Sequence, residues 1–301
     1  MTKPVIAVFG TNGALGKPTI EALTSPTFSS KISFPIRAIT RDPTKYTSTE
    51  KVKYYKADAK DVDSFKDALT GVDVFINLGG ISHGYYDAPL DALLRFAKST
   101  IKLYIPSEFG VELDATDLPG FFGYKVKHSE RARASGVKTI DVCTALFFGP
   151  GSYLYEQVCG LDPVTNVALV GGDGNIKFDV CYLGDIGKAL AAIVTYCDGD
   201  YSQLPDKIRI SSDRITNEEA LDHYEKIHPG VKITRKYLSQ KEIYKKTHEM
   251  YNAGFDMNDF LSYLHYMMSQ GEGKGLAFTK NENELINPGQ SLFKWIKFGS
   301  I

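Results

Sequence analysis

The chain has 301 residues, 43% of them hydrophobic and 24% charged, which suits a globular protein with room for one large core or two. Thirty-five basic residues stand against 36 acidic ones, a net charge of -1 that gives no electrostatic footprint for nucleic acid or an anionic membrane. The four cysteines (Cys143, Cys159, Cys181 and Cys197) form no CxxC pair and no cluster with histidine, so no metal site is expected and a reduced compartment is.

Met1 leads almost directly into PVIAVFG, with no basic stretch ahead of a long apolar one, and no apolar run approaches the ~18 residues of a membrane helix. The expected location is cytoplasmic. From residue 4 to about 150, short apolar runs alternate with helical stretches. VIAVFG (5–10) is a β-branched run followed by the helical KPTIEALTS; PIRAIT (35–40) and KVKYYKAD (51–58) are the next strands. VDSFKDALTG (62–71) has apolar residues every three or four positions and ends in glycine, as a helix does. VDVFINLGG predicts a strand, PLDALLRFAKS a helix, LYIPSEFG (103–110) a strand that stops at a proline, KVKHSERARASG a helix, and TIDVCTALFFGPG one more strand. This rhythm predicts an α/β fold of Rossmann type, a doubly wound, mainly parallel sheet covered on both faces.

After Gly151 the pattern changes. SYLYEQVCGLDPVTN reads as an aromatic-rich loop or short helix, GGDGNIKFDVCYL as a turn and strand, and GDIGKALAAIVTYC as a helix. KIRISS, TNEEALDHYEKIHPG, VKITRKYLS and QKEIYKKTHEMYN complete a smaller α+β part. The expected division is a nucleotide-binding Rossmann domain over 1–150, to which 176–197 returns, and a mainly substrate-binding α+β part over 151–301. No repeats or low-complexity tracts interrupt it.

The first strand runs into Gly10-Thr11-Asn12-Gly13-Ala14-Leu15-Gly16, and a helix follows at once. Glycines at this spacing permit a tight turn, a close backbone approach to a pyrophosphate, and close helix–strand packing. The helix N-terminus adds free N–H groups and the positive end of its dipole. A dinucleotide is the expected ligand, with Gly79 at the end of VDVFINLGG beside it. A cofactor with a free ribose 2′-hydroxyl would call for an acidic residue after the second strand. Here Thr40-Arg41-Asp42-Pro43-Thr44-Lys45 stands there. Arg41, with Lys45 nearby, would pair with a 2′-phosphate, which favours NADPH; Asp42 remains the alternative as ribose acceptor.

GTNGALG, TRDPTK, IPSEFG and a lysine-led helix, in that order, resemble the NmrA-like, isoflavone-reductase-like family of atypical short-chain dehydrogenases. The resemblance continues through GGDGNIKFDVCYLGDIGKAL and TNEEALDHYEKI, and the closing NENELINPGQSLFKWI resembles fungal members. It implies a catalytic lysine at Lys125, with Lys127 the competitor for that alignment. Ordinary short-chain dehydrogenases carry a tyrosine four residues earlier, where this chain has Phe121, so a plain Tyr–Lys mechanism is not expected.

A nicotinamide over the strand ends would lie beside the PSEFG turn. Ser107 is then expected as a donor to the cofactor, and Phe109 as a wall of the pocket; the alternative is that Glu108 caps backbone and Phe109 fills core. Phe147, Phe148, Tyr153 and Tyr155 are the further candidates to line a pocket for a flat substrate, although sheet core explains Phe147 equally well. His128 is expected at the surface. Lys125 beside an apolar pocket would be partly desolvated and able to relay a proton. The resemblance therefore implies an NADPH-dependent oxidoreductase acting on a small aromatic or conjugated molecule. The other reading is a dinucleotide redox sensor that regulates a protein partner without chemistry.

Overall fold

The computed structural model describes residues 3–80, 85–152, 154 and 158–301. Runs rich in β-branched and aromatic residues become β1 (Val5–Phe9), β2 (Ser33–Thr40) and β3 (Val52–Lys56), with α1 (Gly16–Thr24) and the single turn α2 (Pro26–Ser29) between the first two. The stretch from 62 begins as a tighter 3-10 turn and ends as α3 (Lys66–Leu69). The alternation continues with β4 (Val74–Asn77), α4 (Ala88–Phe96), β5 (Leu103–Ile105) and α5 (Gly123–Ala134). These five strands form one parallel sheet in the order β3-β2-β1-β4-β5.

The rest comprises β6 (Asp141–Cys143), β7 (Leu146–Phe148), β8 (Leu161–Asp162), β9 (Val167–Gly171), β10 (Lys177–Tyr182), α6 (Leu183–Val194), β11 (Lys207–Arg209) and β12 (Asp213–Thr216). After these come α7 (Asn217–Ile227), β13 (Thr234–Leu238), α8 (Gln240–Asn252), α9 (Phe260–Met268) and α10 (Asn283–Ile286). The stretch expected as one strand at 139–151 is two. Thr144 and Ala145 both donate their N–H to the Gly110 carbonyl, at 3.1 and 2.9 Å, and Ala145 adopts φ +51°. That turn sends the halves to different partners. Tyr104 forms a parallel bridge with Thr139, just ahead of β6, and β6 pairs in parallel with β11. β7 instead pairs with β10, which is antiparallel to β12.

Both faces of the sheet are buried at β1, β4 and β5, which is why these strands are almost continuously apolar, whereas the edge strand β3 carries the exposed Lys53 and Lys56. Ile6 and Val8 pack on one side with Leu23 of α1 and Ile186 and Leu190 of α6; Ala7 faces the other with Leu69, Leu93 and Ala132. The returning segment divides: β10 joins β7 and β12 outside the five-stranded sheet, while α6 lies on α1. A Cβ at Gly187 would fall 2.4 Å from the Pro18 carbonyl, so glycine lets these two backbones meet. A third core, including Phe178, Val180, Leu221, Tyr263 and Met267, holds the smaller part. No helix among the described residues is long and apolar enough to cross a membrane.

Candidate active site

β1 has β2 on one side and β4 on the other, so the sheet changes winding direction there, and its strand ends open a crevice. A cleft of about 600 Å³ occupies that place, lined by Gly10, Thr11, Asn12, Gly13, Thr40, Arg41 and Gly79 among others. The three loop glycines have different reasons to be there. Gly10 has φ +84°, and a Cβ would lie 2.7 Å from the Leu78 backbone; at Gly16 a Cβ would lie 2.2 Å from the Thr11 carbonyl oxygen. At Gly13 the nearest protein atom to a Cβ would be 3.5 Å away, so the fold itself leaves room for a side chain. Leu15 is buried in the core and Ala14 is exposed. No side chain caps the N-terminus of α1. Gly16 N–H is bonded to the Gly13 carbonyl at 3.0 Å and Pro18 has no N–H, so the expected set of free N–H groups reduces to that of Lys17 with the positive end of the dipole. Asn12 is fixed to the second strand by donating to Thr40 Oγ1 at 2.9 Å.

Arg41 and Asp42 separate clearly. Arg41 is exposed and lines the cleft. Asp42 is committed to its own turn: Oδ1 accepts from Thr44 N (3.2 Å) and Thr44 Oγ1 (2.5 Å), and these bonds hold its carboxyl below its usual pKa. Lys45, expected beside Arg41 at the cofactor, is instead off the cleft lining, its ammonium 3.7 Å from Asp42. The short turn at Pro43–Lys45 brings those opposite charges together.

Next to the cleft is an apolar pocket of about 190 Å³ whose lining includes Glu108, Phe109, Phe122, Lys125, Phe147 and Phe260. Lys125 is buried and Lys127, two residues on and so on the opposite face of the helix, is exposed. Burial lowers the Lys125 pKa, and Glu108 partly opposes that shift. Lys125 Nζ donates to the Ser107 carbonyl at 2.7 Å, and Ser107 Oγ donates to the Gly79 carbonyl at 2.7 Å. The Ser107 hydroxyl, expected as a donor to the cofactor, here donates to the Gly79 carbonyl on the cleft wall. Tyr86 OH reaches both the Ser107 carbonyl (3.0 Å) and Glu108 Oε1 (3.3 Å). Gly79 itself lines the cleft, where a Cβ would strike the Phe9 ring at 2.8 Å.

Two further expectations are corrected. His128 is buried, not superficial: Nδ1 lies 2.5 Å from Asp87 Oδ1 and Nε2 lies 2.9 Å from Tyr104 OH. The direction of this chain follows from its other end. Gly79 N–H donates to Asn77 Oδ1, so Asn77 Nδ2 donates to Tyr104 OH, which leaves the tyrosine proton for His128 Nε2 and the Nδ1 proton for Asp87. Phe148 is core, packed between Tyr182 and Phe298, while Phe147 takes the place on the pocket wall. Neighbouring residues of a strand face opposite ways. Phe109 lines this pocket, and Tyr153 and Tyr155 lie outside the described residues. Sequence reasoning did not single out Asn77, Tyr86 or Asp87; an asparagine closing an otherwise apolar strand was the one available signal.

Fold and cleft together define a class, a doubly wound α/β protein with a glycine-rich turn at its switch point. The NmrA-like family model matches residues 2–276, and the chain belongs to that family. An isoflavone reductase homolog of Zea mays is 26% identical over 291 residues, 91% of this chain and 89% of its own length. The crystal structure of an isoflavone reductase aligns with a TM-score of 0.66 at 21% identity, over 88% of this chain and 87% of that one. A Citrobacter sp. triphenylmethane reductase complexed with NADP(H) aligns at 0.64 and 15% identity, over 94% and 95%.

Proposed function

We propose that this protein is an NADPH-dependent reductase of a small aromatic or conjugated molecule. The observation that carries this reading is Ser107, which links a glycine-loop cleft to a buried lysine in an adjoining apolar pocket by two hydrogen bonds of 2.7 Å. The reductases among its relatives support it. The cleft residues suit a dinucleotide: Gly13 leaves open space, the α1 N-terminus is uncapped, and Arg41 is free of the Asp42–Lys45 pair. Gly10 to Gly13 would hold the pyrophosphate, Arg41 the 2′-phosphate, and Lys125 the nicotinamide ribose. When bound, the reduced nicotinamide supplies a hydride. Lys125 orients the reactants and passes a proton, aided by a desolvated amine.

Phe109, Phe122, Phe147 and Phe260 would give a flat substrate apolar walls. Residues 1–150 with α6 would form the cofactor part, and 151–301 supply the remaining substrate wall through Phe260 and Leu264 of α9. The test is NADPH consumption against enones, imines and quinones. Turnover of none of them removes the reductase reading.

A further inference from the structure

Glu108 is a buried carboxyl for which the reading above has no use. It is 6% exposed, and Glu108 and Lys125 are the two ionisable side chains among the described residues that line the apolar pocket. The sole hydrogen bond to its carboxyl among those residues is from Tyr86 OH at 3.3 Å. A carboxylate that had been built in only to anchor backbone would accept N–H groups; this one faces a cavity large enough for a ring. Such an environment favours the neutral acid. We infer that Glu108 is a catalytic acid of this site, the source of the proton that accompanies hydride transfer to the substrate.

This inference rests on the reductase reading. The Glu108 O–H bond breaks and the proton ends on the substrate atom left electron-rich when the cofactor's hydride forms the new C–H bond. The substrate gains two electrons, which NADPH loses, and after product leaves the carboxylate takes its next proton from water by way of Lys125, which is the proton that Lys125 passes. Lys125 stabilises that carboxylate in the interval. Burial raises the Glu108 pKa to about 7, against the opposing charge of Lys125. Asp141 raises it further, while Arg133 and the Tyr86 hydrogen bond lower it; Tyr104, Tyr124 and Cys143 are the other titratable groups within its field.

The test is Glu108→Gln, which keeps an acceptor for Tyr86 but has no acidic proton. On whichever of the enones, imines or quinones the native protein reduces, kcat should fall ~10²–10⁴-fold. NADPH affinity should be unchanged, and the loss of activity that the native enzyme shows as pH rises should be absent from the variant's residual rate. A second measurement needs no substrate. The folded pKa of about 7 stands above the ordinary 4.5, so the neutral acid's contribution to stability is complete below 4.5 and lost as pH rises through about 7. The melting temperature of Glu108→Gln minus that of the native protein should therefore increase across that window. A difference that stays flat with pH, or a variant with native kcat, overturns the role of Glu108 and leaves the reductase reading standing. A native protein that reduces nothing on the panel removes both.

Discussion

Gly13 and Arg41 act at the scale of single atoms, and each gives a clean test. Because the fold leaves room at Gly13, Gly13→Val should fold normally yet lose NADPH binding, the branched side chain filling the space a pyrophosphate needs. Native-like melting together with a lost binding isotherm is the expected pair of results; native affinity in the folded variant would mean that the loop holds no phosphate. The same substitution at Gly10 would be uninformative, since that position is strained for any side chain. Arg41 lines the cleft while Asp42 is held by Thr44 and Lys45. Charge-assisted hydrogen bonds are worth about 1.5–3 kcal/mol, so Arg41→Ala should weaken NADPH by roughly ten- to a hundredfold. NADH should bind as before. Equal weakening of both cofactors in a titration would return the decision to Asp42.

Among the elements, the contact between α1 and α6 decides whether the glycine loop has a firm base. Gly187→Ala would put a Cβ 2.4 Å from the Pro18 carbonyl, and overpacking of this kind costs about 1–3 kcal/mol. Chemical denaturation should show that loss, and stability unchanged from native would mean that the two helices move apart at no cost. The centre of the main sheet was legible in the sequence because strands buried on both faces must be apolar throughout, and the helices between them repeat every three or four residues. α5 was not legible in the same way. Its buried positions, Lys125, His128, Ser129 and Ala132, follow helical spacing, but three of the four are polar, so no apolar stripe marks the inward face. What those residues meet (Asp87, Tyr104, Ser107) lies 18 to 41 residues away in sequence. The break between β6 and β7 was hidden for a related reason: the turn at Ala145 is fixed by the Gly110 carbonyl, not by a local glycine or proline. α9 carries pocket residues in a stretch, 253–275, to which no element had been assigned.

For the molecule as a whole the question is whether the two adjoining cavities perform chemistry or only register the state of a cofactor, and Lys125 separates these. Lys125→Met keeps most of the side-chain length in a buried position, and the Ser107 carbonyl retains Tyr86 OH as a donor, so the fold should survive. Without the amine, turnover should fall ~10²–10⁴-fold, the usual range for acid–base groups. NADPH affinity should fall far less, because the phosphate contacts proposed at residues 10–13 and Arg41 are elsewhere. Lys127→Met, on the exposed side of the same helix, is the control and should behave as native. A Lys125 variant with native turnover would show that the buried amine has no part in the reaction. A redox sensor predicts a different set of results: no turnover of the panel by the native protein, a sharp difference between NADPH and NADP+ in affinity, and no large change in that difference when Lys125 is replaced. Titrating both cofactors against the native and Lys125→Met proteins, alongside the turnover assay, distinguishes the two, since a reductase has to release oxidised cofactor in every cycle and a sensor has to hold one form in preference to the other.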